Sequence, residues 1–197
     1  MARPRKVSDE QLLAAAGDVI ARLGPAFTLA DIAAQAGVVA GTLVQRFGSK
    51  HGLLAALSRI TIEALPRTIR AAVHGVDDPV EALRHGVIEP YAPLDDPASA
   101  ANNLAQLAVD FADGELRGLL AELYAAIEAE VAVLVGRAVE AGALPGAPPV
   151  PHAARILAAL ADGSAIRWSV LPRGGLRARV GADVDGVLAS WRRAPGS

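Results

Sequence analysis

The chain has no cysteine, one methionine and an aromatic content of only 4%. Without cysteine there are no disulfides and no thiolate metal sites, which fits a reducing compartment. Hydrophobic residues nevertheless make up 52% of the chain, so the core has to be built from alanine, leucine and valine. Alanine and leucine favour helices. No strand-like alternation and no internal repeat stands out. Apolar runs are broken by charge well short of a membrane-spanning length. The basic start MARPRK is not followed by a long apolar run, so no signal peptide is expected. These absences together predict a soluble, cytoplasmic, all-α protein with no membrane partner.

Groups that carry chemistry are equally sparse. His51, His74, His85 and His152 are scattered, and none pairs at metal-ligand spacing with a carboxylate. There is no glycine-rich phosphate loop. Asp110, Asp113 and Glu115 cluster, as do Glu122, Glu128 and Glu130, but they read as solvated helix faces. The expectation is a protein that is not an enzyme, with no catalytic residues, no metal and no cofactor.

What is present begins with length and charge. A chain of 197 residues suffices for one large domain or two small ones with a real core. The net charge of −2 conceals an asymmetry. Residues 1–60 hold seven basic and four acidic side chains, a net +3, whereas the remainder holds 12 and 17, a net −5. A basic front on an acidic body suits a chain whose front alone meets a polyanion.

The most informative stretch runs from Thr28 to Leu54. Thr28 followed three residues later by Asp31 is a helix-start signal of the capping-box kind. Leu29, Ile32, Ala33 and Ala36 then recur at helical spacing. Gly37 stops the helix where a left-handed conformation costs least. A second short helix places Leu43 and Phe47 one turn apart, facing inward, with Gly41, Thr42, Val44 and Gln45 away from that face. This order is the helix-turn-helix pattern.

The run Thr28-Leu-Ala-Asp-Ile-Ala33, with Ala36-Gly37-Val38, Gly41-Thr42-Leu43, Phe47, Ser49-Lys50 and Leu53-Leu54, resembles the DNA-binding segment of the TetR (tetracycline-repressor) family of bacterial transcriptional regulators. The resemblance is specific over about residues 8–55 and beyond that rests on helix count and order. It implies a three-helix DNA-binding domain over 1–52 and a larger helical effector-binding and dimerisation domain over 53–197, about nine helices in all. The sequence departs from the family's pattern at Val39-Ala40, where a serine or threonine and a polar residue are usual, at Val44, where tyrosine is usual, and at Gln45 and Arg46, where histidine or tyrosine is common. Val44 has no hydroxyl for a phosphate and can only touch a thymine methyl.

The chain in order carries its own punctuation. Arg3, Arg5 and Lys6 form a basic arm able to lie on phosphates or enter a minor groove. Ser8, with Gln11 three residues on, opens a first helix whose stripe is Leu12, Leu13, Ala16, Val19, Ile20 and Leu23, ended by Gly24-Pro25. Phe27 belongs to the same small core. Ser49 caps a helix of about 50–73, in which Pro66 is expected to produce a kink or a break. Asp78-Pro79 and Asp96-Pro97 start helices of about 79–90 and 97–113. Pro90 and Pro93 break the first of these. Further helices of about 114–142, 152–171 and 176–193 follow, with an exposed loop over Pro145–Pro151.

Candidate contacts follow from these placements. For double-stranded operator DNA they are Thr28, Gly41, Thr42, Val44, Gln45, Arg46 and Lys50, with the arm Arg3, Arg5 and Lys6. Gly41 lets the backbone approach, Gln45 can pair with adenine, Arg46 with guanine or phosphate, and Lys50 with phosphate. For an unknown small-molecule effector, the resemblance places a pocket among the central helices, where Tyr91, Asn102, Asn103, Gln106, Phe111, Tyr124 and Trp168 are candidates. The penultimate helix is apolar on more than one side. Cover by a second copy is therefore expected, through Ile156, Leu160, Val184, Leu188 and Trp191. What the resemblance implies is a homodimeric, ligand-responsive repressor of a palindromic operator. The alternative is a helical small-molecule-binding protein that has lost operator recognition, motivated by Val39, Ala40 and Val44.

Overall fold

A computed structural model describes residues 7–194, and the arm residues Arg3, Arg5 and Lys6 lie outside the described residues. Among the described residues there are nine α-helices and no strand. The head is made by α1 (Asp9–Leu23), α2 (Leu29–Ala36), α3 (Ala40–Phe47) and the start of α4 (Lys50–Ala72). Each start has a local chemical cause. Ser8 accepts from the Gln11 N–H and Gln11 returns the bond, and Thr28 and Asp31 do the same for α2. Ser49 accepts from Gly52 N–H at the head of α4. Burial then fixes the packing: Leu12, Val19, Phe27, Ile32, Leu43 and Leu53 are closed off from solvent in one cluster.

The body holds α5 (Pro79–Ile88), α6 (Pro97–Ala112), α7 (Gly114–Glu140), α8 (Val150–Val170) and α9 (Leu176–Trp191). Asp78, Asp96 and Asp113 cap α5, α6 and α7 through their carboxylates. Backbone N–H bonds hold Asp78 and Asp113 below the usual carboxylate range, assisted at Asp113 by His51. The helix expected over about 79–90 ends at Ile88, because Pro90 has no N–H to continue it, and the chain proceeds as a 3-10 turn over Glu89–Leu94. Pro66 does not break α4, which runs unbroken from Lys50 to Ala72. Its packing on both sides offsets the missing bond: Leu65 and Ile69 are buried in the body cluster.

α4 therefore serves two cores. Its first turns place Leu53, Leu54 and Ala55 in the head, and its last turns place Leu65 and Ile69 in the body. The start of α7 reaches back in turn, burying Leu116 and Leu119 in the head cluster. Polar ties reinforce this joint. His51 Nε2 lies 3.1 Å from Asp113 Oδ1, and Arg59 donates to Glu115 at 2.7 Å. Further along, Arg70 grips the buried Glu130 through two bonds of 2.6 and 3.1 Å. Glu130 and Asp113 are thus structural partners, which corrects their reading as solvated acidic faces.

Candidate nucleic-acid interface and body pocket

The turn between α2 and α3 is a Schellman motif. Gly37 takes φ 68°, its N–H bonds Ala34 O, and Val38 N–H bonds Ala33 O at 2.9 Å. This aims α3 away from α2, with Leu43 fully buried and Phe47 packed against the head core. The opposite strip of α3 carries Gly41, Val44, Gln45 and Gly48, all exposed, with Thr42 half-buried beside it. No side chain caps α3, since Val39 stands at the cap position. Val39 is 73% and Val44 50% exposed, so both apolar side chains face outward.

The cationic groups are placed differently from one another. Arg46 Nη1 donates to Asp9 Oδ1 at 2.7 Å, which ties the flank of α3 to the start of α1. One N–H of the guanidinium fork is thereby used, and the others have no bond among the described residues. Lys50 turns inward instead. Its Nζ donates to Pro25 O at 2.7 Å and Phe27 O at 2.6 Å, and sits 3.9 Å from the centre of the Phe27 ring. A phosphate would have to compete with two carbonyls and a ring for that ammonium, so the structure gives Lys50 a structural part. Thr28 is engaged as well: its hydroxyl donates to Asp31 Oδ2 at 2.7 Å and accepts from Asp31 N–H. Asp31 is held below its ordinary value by those Thr28 bonds, so a carboxylate stands beside the hydroxyl expected to meet phosphate.

The effector candidates do not converge on one cavity. Asn102 Nδ2 donates to Ala21 O at 2.9 Å and Arg22 O at 2.8 Å, the end carbonyls of α1 that have no partner within the helix. Gly24 makes that contact possible. Its φ is 57°, and a Cβ there would lie 3.2 Å from Asn102 Oδ1. Asn102 thus ties the body to the head. Asn103 bonds Ser99 O within its own helix, and Phe111 is 48% exposed. Trp168 Nε1 donates to Gly174 O, closing the α8–α9 connection. Gln106 is buried and donates to Asp110, with its Oε1 unpaired among the described residues.

Tyr91 and Tyr124 do come together, around Asp162. Tyr91 is buried and its hydroxyl donates to Asp162 Oδ1 at 2.6 Å. Tyr124, Ile127, Glu128, Ala158, Ala159 and Asp162 line a cavity of about 120 Å³ between α7 and α8. Burial pushes the Asp162 carboxyl up, the Tyr91 bond opposes this, and Glu128 adds to it. Burial, then Asp162, pushes both tyrosines up. Asp162 is not among the residues expected from the sequence; its place as the one acid of α8, one turn from Ala158 and Ala159, was the available signal. A wider cleft of about 410 Å³ lies between α5 and α9, lined by Ala72, Arg84, His85, Ile88, Glu89, Arg177 and Ala178. No group of acidic and histidine side chains suited to a metal occurs among the described residues.

The dimerisation candidates also divide. Val184, Leu188 and Trp191 are buried within the single chain, and Ile156 and Leu160 are partly buried against the same core. α9 itself provides the cover that the sequence reading assigned to a second copy, which removes Val184, Leu188 and Trp191 from an outer face. Outward on α8 stand Ala159, Ile166 and Val170, with Gly163 half-buried between them. Outward on α9 stand Ala178, Ala182, Gly186 and Ala189.

Residues 12–57 match the family model described as "Bacterial regulatory proteins, tetR family". No curated protein matches the chain in sequence. Solved structures share its fold. FadR from Bacillus subtilis, in complex with stearoyl-CoA, is 20% identical with a TM-score of 0.75, over 93% of this chain and 99% of that one. A transcriptional regulator from Rhodococcus sp. Rha1 is 23% identical with a TM-score of 0.71, over 96% and 100%. SmeT, the repressor of the Stenotrophomonas maltophilia multidrug efflux pump SmeDEF, is 22% identical with a TM-score of 0.68, over 98% and 96%. The match to the tetR-family model thus covers residues 12–57, and the helical fold is shared with these solved structures along nearly the whole chain.

Proposed function

We propose that the chain is a ligand-responsive transcriptional repressor that binds a palindromic operator as a homodimer and leaves it when a small effector binds. The observation that carries this is α3 itself. A three-helix core holds its inner face through Leu43 and Phe47, and its outer strip, flanked by Arg46, has no side-chain bond among the described residues. Such a helix fits the major groove. The operator contacts we propose are Gly41, Thr42, Val44, Gln45 and Arg46, with the arm Arg3, Arg5 and Lys6 assigned on sequence alone. The functional division falls near residue 52, with a reading head before it and an effector and dimerisation body after it, joined by α4.

For the effector we propose the cavity at Tyr124, Glu128 and Asp162. Glu128 raises the Asp162 carboxyl further rather than stabilising its charge, so this pair disfavours an anionic group there. An effector acts only if it binds the released arrangement better than the DNA-bound one. The ties from α6 and α7 to the head are the elements such a preference would work through.

A second reading is favoured by one observation. Val39 and Val44 are exposed and apolar where a phosphate-binding surface is normally polar, which suits a protein of this fold that has lost operator recognition. Selection of duplexes from a random pool by the full chain separates the two. The repressor reading expects an enriched inverted repeat whose binding weakens steeply with salt. Recovery of no preferred sequence at low salt overturns it in favour of the second reading.

A further inference from the structure

The outward strip of α3 recurs at positions 41, 44, 45 and 48, spacing that puts all four residues on one line of the helix. Two of the four are glycines. Gly48 has a backbone reason, since it ends α3 at φ 76°. Gly41 has none among the described residues: its φ is not in the left-handed region, and a Cβ there would meet none of them within 4 Å. A glycine inside a helix costs stability relative to alanine, so its presence on the outer line is unexplained by folding. It leaves the backbone bare one turn before Val44. Val44 and Gln45 are then the two side chains that stand up from this strip.

Valine has no donor or acceptor. Packed against a base edge that offers only hydrogen-bonding groups, it would leave those groups unpaired. The major groove presents one apolar group, the 5-methyl of thymine. We infer that each operator half-site contains a thymine whose 5-methyl group packs against Val44, so that Val44 is a specificity-determining residue. This rests on the proposal that α3 enters the major groove. The neighbouring Gln45 amide is left to pair with a base edge beside it.

The test changes the DNA first and the protein second. Starting from the duplex selected by the full chain, each thymine is replaced in turn by deoxyuridine, which removes only the methyl, and affinity is measured by fluorescence anisotropy at fixed salt. One position per half-site should lose about fourfold, the fold-change equivalent to ~0.8 kcal/mol for one buried methylene-sized group. Every other position should be unaffected by more than a small amount. In Val44→Ala, which truncates an exposed side chain, thymine and deoxyuridine at that position should bind alike. Equal binding of thymine and deoxyuridine duplexes at every position overturns the inference while leaving operator binding in place. A loss that persists undiminished in Val44→Ala overturns it as well. Failure to select any duplex overturns both this inference and the function it rests on.

Discussion

Arg46 and Lys50 lie four residues apart and carry the same charge, yet their surroundings give them different work. The Arg46 side chain is partly exposed, and one bond from Nη1 to Asp9 anchors one tip of its fork. Lys50 is held by two carbonyls and the Phe27 ring. Replacing Arg46 with alanine should flatten the salt dependence of operator binding by about 0.9 in log–log slope for each phosphate that its guanidinium neutralises. Replacing Lys50 with alanine should leave that slope unchanged and lower head stability by about 1.5 kcal/mol, the scale of a hydrogen bond to a charged group. Salt titrations of binding beside chemical denaturation distinguish the two. A changed slope in Lys50→Ala would return that side chain to the DNA interface. The sequence exposed the inward and outward residues of α3 because Leu43 and Phe47 recur at helical spacing. It did not expose the fate of Lys50, because carbonyls 23 and 25 residues away in the chain become neighbours only after folding. Asp162 makes the complementary case for pH. Its carboxyl is held above the ordinary value mainly by burial, so the folded state holds that proton more tightly than the unfolded state does. The associated stability is present below the ordinary carboxylate pKa and is lost as pH rises through the raised one. Asp162→Asn, which can still accept from Tyr91, should therefore melt above the wild type at neutral pH, with the gap closing on acidification. Melting curves across that range check it, and a gap that widens in acid would refute the assignment.

At the scale of elements, the joint between α1 and α6 carries a polar tie at Asn102. Asn102 on α6 gives both amide hydrogens to the last carbonyls of α1, and the turn glycine Gly24 allows the two backbones to approach. Asn102→Ala leaves two carbonyls without a protein partner. Because Asn102 is only partly buried, water recovers part of the loss, and a cost of about 1 kcal/mol is expected. The effect should be local: hydrogen exchange should speed up at the end of α1 more than in α8 or α9. Uniform acceleration across the chain would mean that the clamp acts on global stability instead. Most helix starts are legible in the sequence, because Ser8, Thr28, Ser49, Asp78 and Asp96 each precede an apolar periodic run and each caps as its type dictates. The effect of Pro66 is not, for a reason that sequence cannot supply. A proline removes one bond from a helix, but whether the helix ends depends on packing on either side, and Leu65 and Ile69 are buried against the body. The clamp role of Asn102 is hidden in the same way, since its acceptors are 80 and 81 residues distant.

For the whole molecule, the proposed function requires a surface that brings two heads to one palindrome. The single chain already buries Val184, Leu188 and Trp191, which leaves them little surface to offer a partner. Exposed on the last two helices, among charged residues such as Arg155, Arg167, Arg177 and Asp185, are Ala159, Ile166 and Val170 on α8, with Gly163 half-buried, and Ala178, Ala182, Gly186 and Ala189 on α9. Ile166 is 47% and Val170 77% exposed, while these four α9 residues are all small. Large apolar groups on one helix opposite small ones on another let two copies pack closely about a two-fold axis, since each copy offers both. Neither set supports the fold of its own chain, so charges placed there should separate subunits without unfolding them. In Ile166→Glu with Ala182→Glu, sedimentation should report a species of half the wild-type mass with an unchanged helical spectrum. The same variant should retain weak binding to a single half-site and lose the added affinity of the intact palindrome, because the second head no longer arrives with the first. A double variant that stays dimeric would move the interface to another face of the body. One that becomes monomeric yet binds the palindrome as tightly as before would show that α3 reads each half-site independently.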